Sequence, residues 1–442
     1  MAQPSSFGAL PNLYEDAPLN AAPATDFLAD GARADICVVG AGFTGLGAAL
    51  TLAEGGADVL VLEASRIGGG ASGVNGGQIH PGQRRDQRWL EAKVGEEEAM
   101  RLWQFAEEAR RWLHDRIARH EITCDFEPGL LSLAHRRDIA EGMRVDALHM
   151  AKRYGVDGLE VLTPADLHGY TGAQGYLGGI FDPRGGHLDP LALTRGLAAT
   201  ASAAGARIAE TATVRCITRD GTGWRLETTR GTVSARIVVV TGDGSLGNLL
   251  PEVAAHVVPI VNFMVATEPL GSRATTVLTK RYAASDSKFV VNYFKRTADD
   301  RLVFGGGESY GDAVPTNIRS RVQPRLLKVF PDLADVPLTH AWGGRLGITA
   351  TRLPFVRRLG PDLRLAPEAG TGPDLYVASG FSGQGVMIGP YTGVAIAEAI
   401  AGRSDRFELM ARLPVPRFPG GPLLRRGMVI AAMVGAGLVD RL

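Results

Sequence analysis

Apolar positions along this chain form short unbroken runs near its start and its end, with helical spacing between them. Asp35 is followed by Ile36-Cys37-Val38-Val39 and then by glycine. A β-branched run of four, closed by a turn residue, predicts a strand buried on both faces. Small and apolar residues over 46–54 predict a helix, and Gly55-Gly56 stops it. Residues 59–62 give a second strand, ending on Glu63. Together these segments are a βαβ opening. Over 91–120 the period lengthens. Leu102, Phe105, Ala109, Leu113 and Ile117 recur every three or four residues, as in an amphipathic helix, with Trp103 and Trp112 packing beside it. Segment 121–184 mixes both periods and yields no clear element. Asp189-Pro190 opens a helix to about residue 204, and short strands follow near Ile208, Val214, 224–227 and 237–240. Strand character dominates from 257 to 304, at 261–266, 289–294 and 302–304, and 324–330 reads as helix. The opening pattern then returns: strand 375–378, a glycine-rich turn over 380–389, and a helix from 391 to 401. A pattern present at both ends predicts domains that are interleaved along the chain.

Composition narrows this picture. Of 442 residues, 45% are hydrophobic and 21% charged, enough for a full core and unlike a disordered chain. Lys+Arg and Asp+Glu are both 47. No basic footprint remains, so no nucleic-acid partner is expected. The 57 glycines are roughly twice the usual share and cluster after apolar runs, where backbone approaches a ligand. Cys37, Cys124 and Cys216 form no CxxC, which points to a reducing, cytoplasmic setting. The nine histidines make no metal-binding spacing, so no metal is expected. Residues 1–30 lack the basic and apolar regions of a secretory signal. The longest uncharged apolar stretch, 427–439, is shorter than the roughly 20 residues of a membrane span. The tail over 413–442, with Arg425-Arg426, reads as an arm packed on the body, an interfacial helix being the alternative.

The chemistry begins at Gly40-Ala41-Gly42-Phe43-Thr44-Gly45. This GxGxxG follows a strand, opens a helix, and precedes an acidic residue that closes the next strand. Each part has a physical role in dinucleotide binding. Gly40 permits the tight turn, Gly42 admits a pyrophosphate to the backbone, and Gly45 lets helix and sheet approach. The helix N-terminus at Phe43 and Thr44 offers N–H groups to phosphate. Glu63 can accept from a ribose hydroxyl. A second glycine cluster, Gly68-Gly69-Gly70-Ala71-Ser72-Gly73-Val74-Asn75-Gly76-Gly77-Gln78, suits the far half of a long dinucleotide, as in FAD rather than NAD. Ala64, Ser65 and Arg66 lead into it, and Arg66 can reach adenine or its phosphate. Thr241-Gly242-Asp243-Gly244-Ser245-Leu246-Gly247 is also GxGxxG. Asp243 would oppose a pyrophosphate and Pro251 leaves little room for a helix, so it predicts no second nucleotide site.

These residues carry a family likeness. The run 35–78 closely resembles flavoprotein amine oxidoreductases of the D-amino-acid-oxidase and glycine-oxidase superfamily, in particular the gamma-glutamylputrescine oxidoreductase branch. Tyr293-Phe294-Lys295-Arg296, the run from Arg301 to Gly305-Gly306-Gly307, Trp342-Gly343-Gly344-Arg345 and Gly380-Phe381-Ser382-Gly383-Gln384-Gly385-Val386 look similar too. The resemblance implies an α/β fold with an α+β second domain: a Rossmann-like FAD-binding domain carrying an inserted mixed-sheet substrate domain. The implied division is an arm over 1–33, a discontinuous FAD domain over 34–90, 186–258 and 339–404, a substrate domain over 91–185 and 259–338, and a tail over 405–442. It implies FAD held non-covalently, with Val214 beside adenine (a buried strand valine otherwise), Thr241 and Gly242 passing near the cofactor, and Gly344, Arg345, Gly380 and residues 382–386 beside the flavin.

The activity implied is oxidation of the C–N bond of a small-molecule amine or amino acid to an imine, chemistry that needs little from protein side chains, with O2 as acceptor. A dehydrogenase with a quinone or protein acceptor and a non-catalytic flavin protein are the rivals. His80, Tyr293, Lys295, Trp342 and Arg345 are the candidate catalytic or pocket residues, with Phe381 and Tyr391 beside them. His80 is a candidate amine-proton acceptor, a structural histidine otherwise. Arg345 suits a carboxylate clamp, a salt bridge otherwise. Trp342 and Tyr391 suit an amine cage, core positions otherwise. His187 reads as a helix-entry residue. Gly69, Val74, Thr351 and Val303 depart from residues common in relatives, which leaves substrate and electron acceptor open.

Overall fold

The computed structural model describes residues 12–16, 19–310, 313–366, 374–420, 427 and 431. Two β-sheets organise them. The first runs in the order 355–359, 375–379, 231–240, 32–39, 59–62, 207–209, with 214–220 and 223–228 folded against the start of 231–240. Its central strands are parallel. Parallel strands need both faces covered, and Cys37, Val38, Val61 and Val239 are fully buried. The covering helices include Phe43–Glu54 and Gly385–Ile400, which pack on each other through glycine. A Cβ on Gly47 would stand 2.1 Å from the Pro390 carbonyl oxygen, and one on Gly393 2.1 Å from that of Thr44.

The second sheet is mixed, in the order 338–348, 258–267, 302–309, 293–296, 283–286, 127–133, 179–187, 78–79, with 160–162 on the edge of 179–187. Strands 283–286 and 127–133 are parallel and the other pairs antiparallel. The helix Ile318–Val329 covers one face with Val322, Leu326 and Val329, forming a separate core with Phe263 and Phe304.

Several expected boundaries move. Gln78–Ile79 and Leu338–Ile348 belong to the second sheet, so the divisions at 90 and 339 do not follow the sheets. The helix Glu96–Arg119 buries Leu102, Phe105, Ala109 and Leu113 in the core of the first sheet, with Phe105 edge-on to Tyr391 at 5.0 Å. It is separated from Gln87–Val94 by Gly95 at φ +88°, so the expected single helix is two. The helix Arg137–Tyr154 had no clear signal, because Ala147 alone among its residues is fully inside. Residues 289–292 precede rather than join the strand Tyr293–Arg296. The helix Ile318–Val329 begins before the expected 324. The arm is docked rather than merely extended. Tyr14 packs edge-on against Trp342, Asp16 pairs with His340 at 2.7 Å, and Asp26 bonds Ile208 through both backbone and carboxylate. Among the described residues, no helix is long and apolar enough to cross a membrane and no His/Cys/Asp/Glu group has metal-binding geometry. Most of the tail lies outside the described residues.

Candidate active site

The turn after the first strand is built by contact. Gly40 has φ +106°, a conformation only glycine adopts readily. A Cβ on Gly45 would fall 1.9 Å from the Gly40 carbonyl oxygen, so a side chain there would push the helix off the turn. The Thr241 hydroxyl locks the turn from the next strand, donating to the carbonyls of Val39 (3.0 Å) and Gly40 (3.2 Å). A Cβ on Gly42 would meet the Ser72 oxygen at 2.8 Å. That hydroxyl already accepts from the Phe43 N–H at 2.9 Å and so joins the two glycine clusters. Glu63 accepts from the Ala41 N–H (2.8 Å) and from the N–H and hydroxyl of Ser65 (2.9 and 3.0 Å). A carboxylate has about four acceptor positions; about one remains for a ribose hydroxyl. Segment 211–214 abuts this end through bonds to Glu63, Ala64 and Ser65, bringing Val214 near, while Arg66 is exposed.

Between the two sheets lies a cavity of about 810 Å³. Gly42, Phe43, Thr44, Ala71, Ser72, Asn75, Gly76 and Gln78 line one part, and Thr241, Gly344 and residues 381–386 another. Gly40, Gly45, Gly70, Gly77, Gly242 and Gly380 shape the backbone behind it. Asn75 fixes the second cluster, donating to Ala71 and Ser72 and accepting from Gly77. The C-terminal turn feeds the N-terminus of Gly385–Ile400 into the cavity wall, and the buried Oε1 of Gln384 has no protein partner. A buried acceptor beside a glycine-lined cradle fits a polar planar ligand.

The second GxGxxG has another role. Asp243–Ser245 is a short 3-10 turn, and the Asp243 carboxylate accepts from the N–H groups of Gly347 and Gly380, each at 2.7 Å. Burial pushes its pKa up and the backbone bonds pull it down. It ties the end of one sheet's strand to the C-terminal turn.

On the opposite wall, Tyr293 and His80 line the cavity. Tyr293 lies over glycine: a Cβ would meet its ring at 2.7 Å from Gly76 and at 2.0 Å from Gly305. Its hydroxyl donates to Asn262 Oδ1 at 2.5 Å, and burial raises its pKa. Gln78 Nε2 donates to the carbonyls of Ala284 and Phe294, turning Oε1 toward His80 Nε2 at 3.1 Å. Nε2 therefore carries the proton and Nδ1 is the acceptor. Burial, aided by Arg84, pushes the His80 pKa down to about 4. The imidazole is neutral at pH 7 and a weaker base than its ordinary value suggests.

Four of the candidate catalytic or pocket residues do not line the cavity. Lys295 is buried behind it, donating to the Leu188 carbonyl at 2.6 Å and standing 5.0 Å from the Tyr14 ring centroid. Burial brings its pKa down to about 8 against the pull of Asp189 and Asp125. Trp342 is also buried, and its indole N–H donates to the Val74 carbonyl at 2.9 Å, so it positions the second glycine cluster. Gly344 and Leu346 face the cavity, and strand alternation sends Arg345, between them, to the other face. Tyr391 donates to Glu108 from the helix core. His187 is fully buried, with Nε2 bonded to the Arg281 carbonyl.

The cavity carries charges that the sequence reading passed over: Arg84, Arg85, Arg352 and Glu308. Arg84 Nε donates to the Ser382 carbonyl (3.1 Å) and Arg85 Nε to that of Thr351 (2.8 Å). Arg352 (φ +67°), Ser382 (φ +54°) and Asp243 (φ +44°) are non-glycine residues in the left-handed region, and all three line this cavity. Backbone strain of that kind gathers at functional sites. Arg84 and Arg85 follow Gln78 within a polar loop, a weak signal in itself.

A parallel sheet with a phosphate-type glycine turn, joined to a second sheet across a cleft, defines a dinucleotide-dependent enzyme. The model of the FAD dependent oxidoreductase family matches residues 35–399. The chain is 37% identical over 409 residues to a Rhizobium meliloti protein named "Probable oxidoreductase OrdL", covering 92% of each. It is 36% identical over 419 residues to gamma-glutamylputrescine oxidoreductase of Escherichia coli, covering 94% of this chain and 95% of that one. Glycine oxidase from Geobacillus kaustophilus superposes with TM-score 0.72 at 21% identity, over 88% of this chain and 100% of that structure. The chain belongs to the family of FAD-dependent oxidoreductases. It is an oxidoreductase, and FAD is its cofactor.

Proposed function

We propose that this enzyme oxidises the C–N bond of a small amine or amino acid to an imine, which water converts to an aldehyde or keto product, and that O2 then accepts the electrons. The observation that carries this reading is the placement of Tyr293, His80 and the C-terminal glycine turn on facing walls of one cavity, which is continuous with the phosphate turn. The E. coli relative, named for gamma-glutamylputrescine, supports an amine substrate. Residues 40–45 would hold the cofactor's pyrophosphate and Glu63 its adenosine ribose. Residues 76–78, Gly344 and the turn over 381–386 would hold its ring. When bound, FAD supplies the hydride acceptor.

The protein's part is binding and orientation. The N-terminus of Gly385–Ile400 directs partial positive charge into the cavity and favours negative charge there. Neutral His80 keeps its proton on Nε2 toward Gln78, leaving Nδ1 to accept from a neutral amine's N–H. Tyr293, held by Asn262 and seated over Gly305, is a rigid wall for the substrate.

The test is anaerobic mixing with polyamines, gamma-glutamyl amines, N-methyl amino acids and D-amino acids. A substrate bleaches the oxidised flavin and yields a carbonyl product. Rapid recovery of colour in air, with peroxide, identifies an oxidase; slow recovery identifies a dehydrogenase. The family likeness implies a lysine near this strand in some relatives, and Val303 in its place keeps the dehydrogenase as the second reading. Bleaching by NADPH and by no amine would overturn the proposal. FAD attachment is non-covalent in this reading, since none of the three cysteines lines the cavity; a link through His80, which does line it, is the alternative. Acid precipitation should release the yellow colour to the supernatant; colour kept in the pellet would point to a covalent link.

A further inference from the structure

One side chain of the N-terminal arm reaches the back of the cavity wall. Tyr14 lies on a single helical turn, Leu13–Asp16, yet is only 4% exposed. Its ring meets Trp342 edge-on with 5.6 Å between centroids, and it also carries the Lys295 ammonium at 5.0 Å. Each of these two partners holds one end of the segment 74–77. The Trp342 indole N–H donates to the Val74 carbonyl at 2.9 Å. Lys295 donates to the Leu188 carbonyl at 2.6 Å, and the Leu188 N–H donates to the Gly77 carbonyl at 2.9 Å. Gly77 backs directly on this link: a Cβ there would fall 1.9 Å from the Leu188 carbonyl oxygen and 3.1 Å from Lys295 Nζ. Between the two anchors, Val74, Asn75 and Gly76 line the cavity. The arm is pinned beside Tyr14 as well, by the pair of Asp16 with His340, two residues before Trp342 on its strand.

We infer that Tyr14 is a positioning residue for the cofactor: it clamps Trp342 and Lys295, and through them both ends of the segment 74–77, so that docking of the N-terminal arm and binding of FAD strengthen each other. The inference rests on the placement of FAD against residues 76–78 given above and is independent of the substrate. Asn75 orders the segment from within, but the carbonyls at its two ends are held from outside. Gly77, at φ +69°, supplies no stiffness of its own. An aromatic ring can serve both anchors at once, taking an indole at its edge and a cation against its π system. The Tyr14 hydroxyl is buried with no hydrogen-bond partner among the described residues, so the ring and not the hydroxyl makes these contacts. With the ring gone, Trp342 and Lys295 lose the contact they share, and binding of FAD must itself order the segment. Coupling between two equilibria is reciprocal, so the factor by which the docked arm tightens FAD is the factor by which FAD tightens the arm.

Amide hydrogen exchange of the full chain is compared with and without FAD. FAD should slow exchange at residues 74–78 and also at residues 13–16, although none of the arm's described residues lines the cavity. Slowing at 74–78 with none at 13–16 would overturn the coupling and leave the placement of FAD intact. No slowing at 74–78 would overturn that placement, and the clamp with it. The Kd for FAD is then measured by flavin fluorescence for the wild type, Tyr14→Leu and Tyr14→Phe. Leucine keeps an apolar side chain and loses both ring contacts, so Kd should rise about five-fold or more. Phenylalanine keeps both contacts and should stay within about two-fold of the wild type. An unchanged Kd in Tyr14→Leu, or an equal loss in Tyr14→Phe, would overturn the clamp. If Tyr14→Leu does not fold, the exchange comparison on the wild type decides alone.

Discussion

Asp243 shows how one side chain holds a site together. Its backbone sits at φ +44°, and its two oxygens satisfy two N–H groups from different segments. Replacing it by asparagine keeps a residue that tolerates the left-handed region but leaves one acceptor oxygen for two donors. Asp243→Asn should cost about 1–3 kcal/mol, and Asp243→Ala roughly twice that, because each orphaned buried donor carries its own desolvation penalty. Denaturation midpoints of the two variants check the order, and FAD content should fall in the same order. His80 makes a pH prediction. Its folded pKa of about 4 lies below the ordinary value near 6.5. Between those values the unfolded chain binds a proton that the folded chain refuses. Stability is therefore complete above pH 6.5 and declines as pH falls toward 4, by roughly 3 kcal/mol at most from this group. Thermal melts from pH 7.5 to 4.5 should show that decline. In His80→Gln the slope should flatten, with buried His187 retaining part of it. An unchanged slope would mean that His80 is open to protonation in the fold.

At the level of elements, the helices Phe43–Glu54 and Gly385–Ile400 approach through Gly47 and Gly393. The two carry the N-termini that face the cavity, so their spacing sets the width of the cofactor cradle. Gly47→Val would drive a side chain into the Pro390 carbonyl and separate them. Overpacking of this kind costs about 1–3 kcal/mol or more. We expect a lower melting temperature and loss of FAD together, measured by absorbance ratio; retention of one FAD per chain would show that the helices can part without opening the cradle. Lys295 gives the complementary expectation. Since it lies behind the wall, Lys295→Met should shift the melting temperature and leave substrate KM unchanged. The helix Arg137–Tyr154 teaches why one element was not legible. It borders the cavity with Met143, Ala147 and Met150 but has little buried surface, so its apolar period is weak.

Across the whole molecule, the cavity proposed to hold cofactor and substrate lies between two sheets contributed by alternating parts of the chain. This makes FAD part of the folded architecture. Ligand that binds only the native state stabilises it by mass action. Adding FAD to protein stripped of cofactor should raise the melting temperature with FAD concentration and saturate at one FAD per chain.

The sequence by itself determined the parallel βαβ opening, the glycine turn at 40–45 with Glu63, and the returning strand–turn–helix at the far end. Those depend on local rules: period, backbone freedom and the residues that permit close approach. Tertiary structure alone decided which side chains face the cavity. Lys295 lies on the same strand as Tyr293, two residues on, yet Tyr14 of the docked arm and the backbone at Leu188 close over it. Arg345 was excluded by alternation once Gly344 was known to face inward. Arg84 and Arg85 became site residues only when the loops at 351 and 382, some 270 to 300 positions away, arrived beside them. A side chain's neighbours across such distances are set by how the sheets pack, and no local pattern in the chain encodes them.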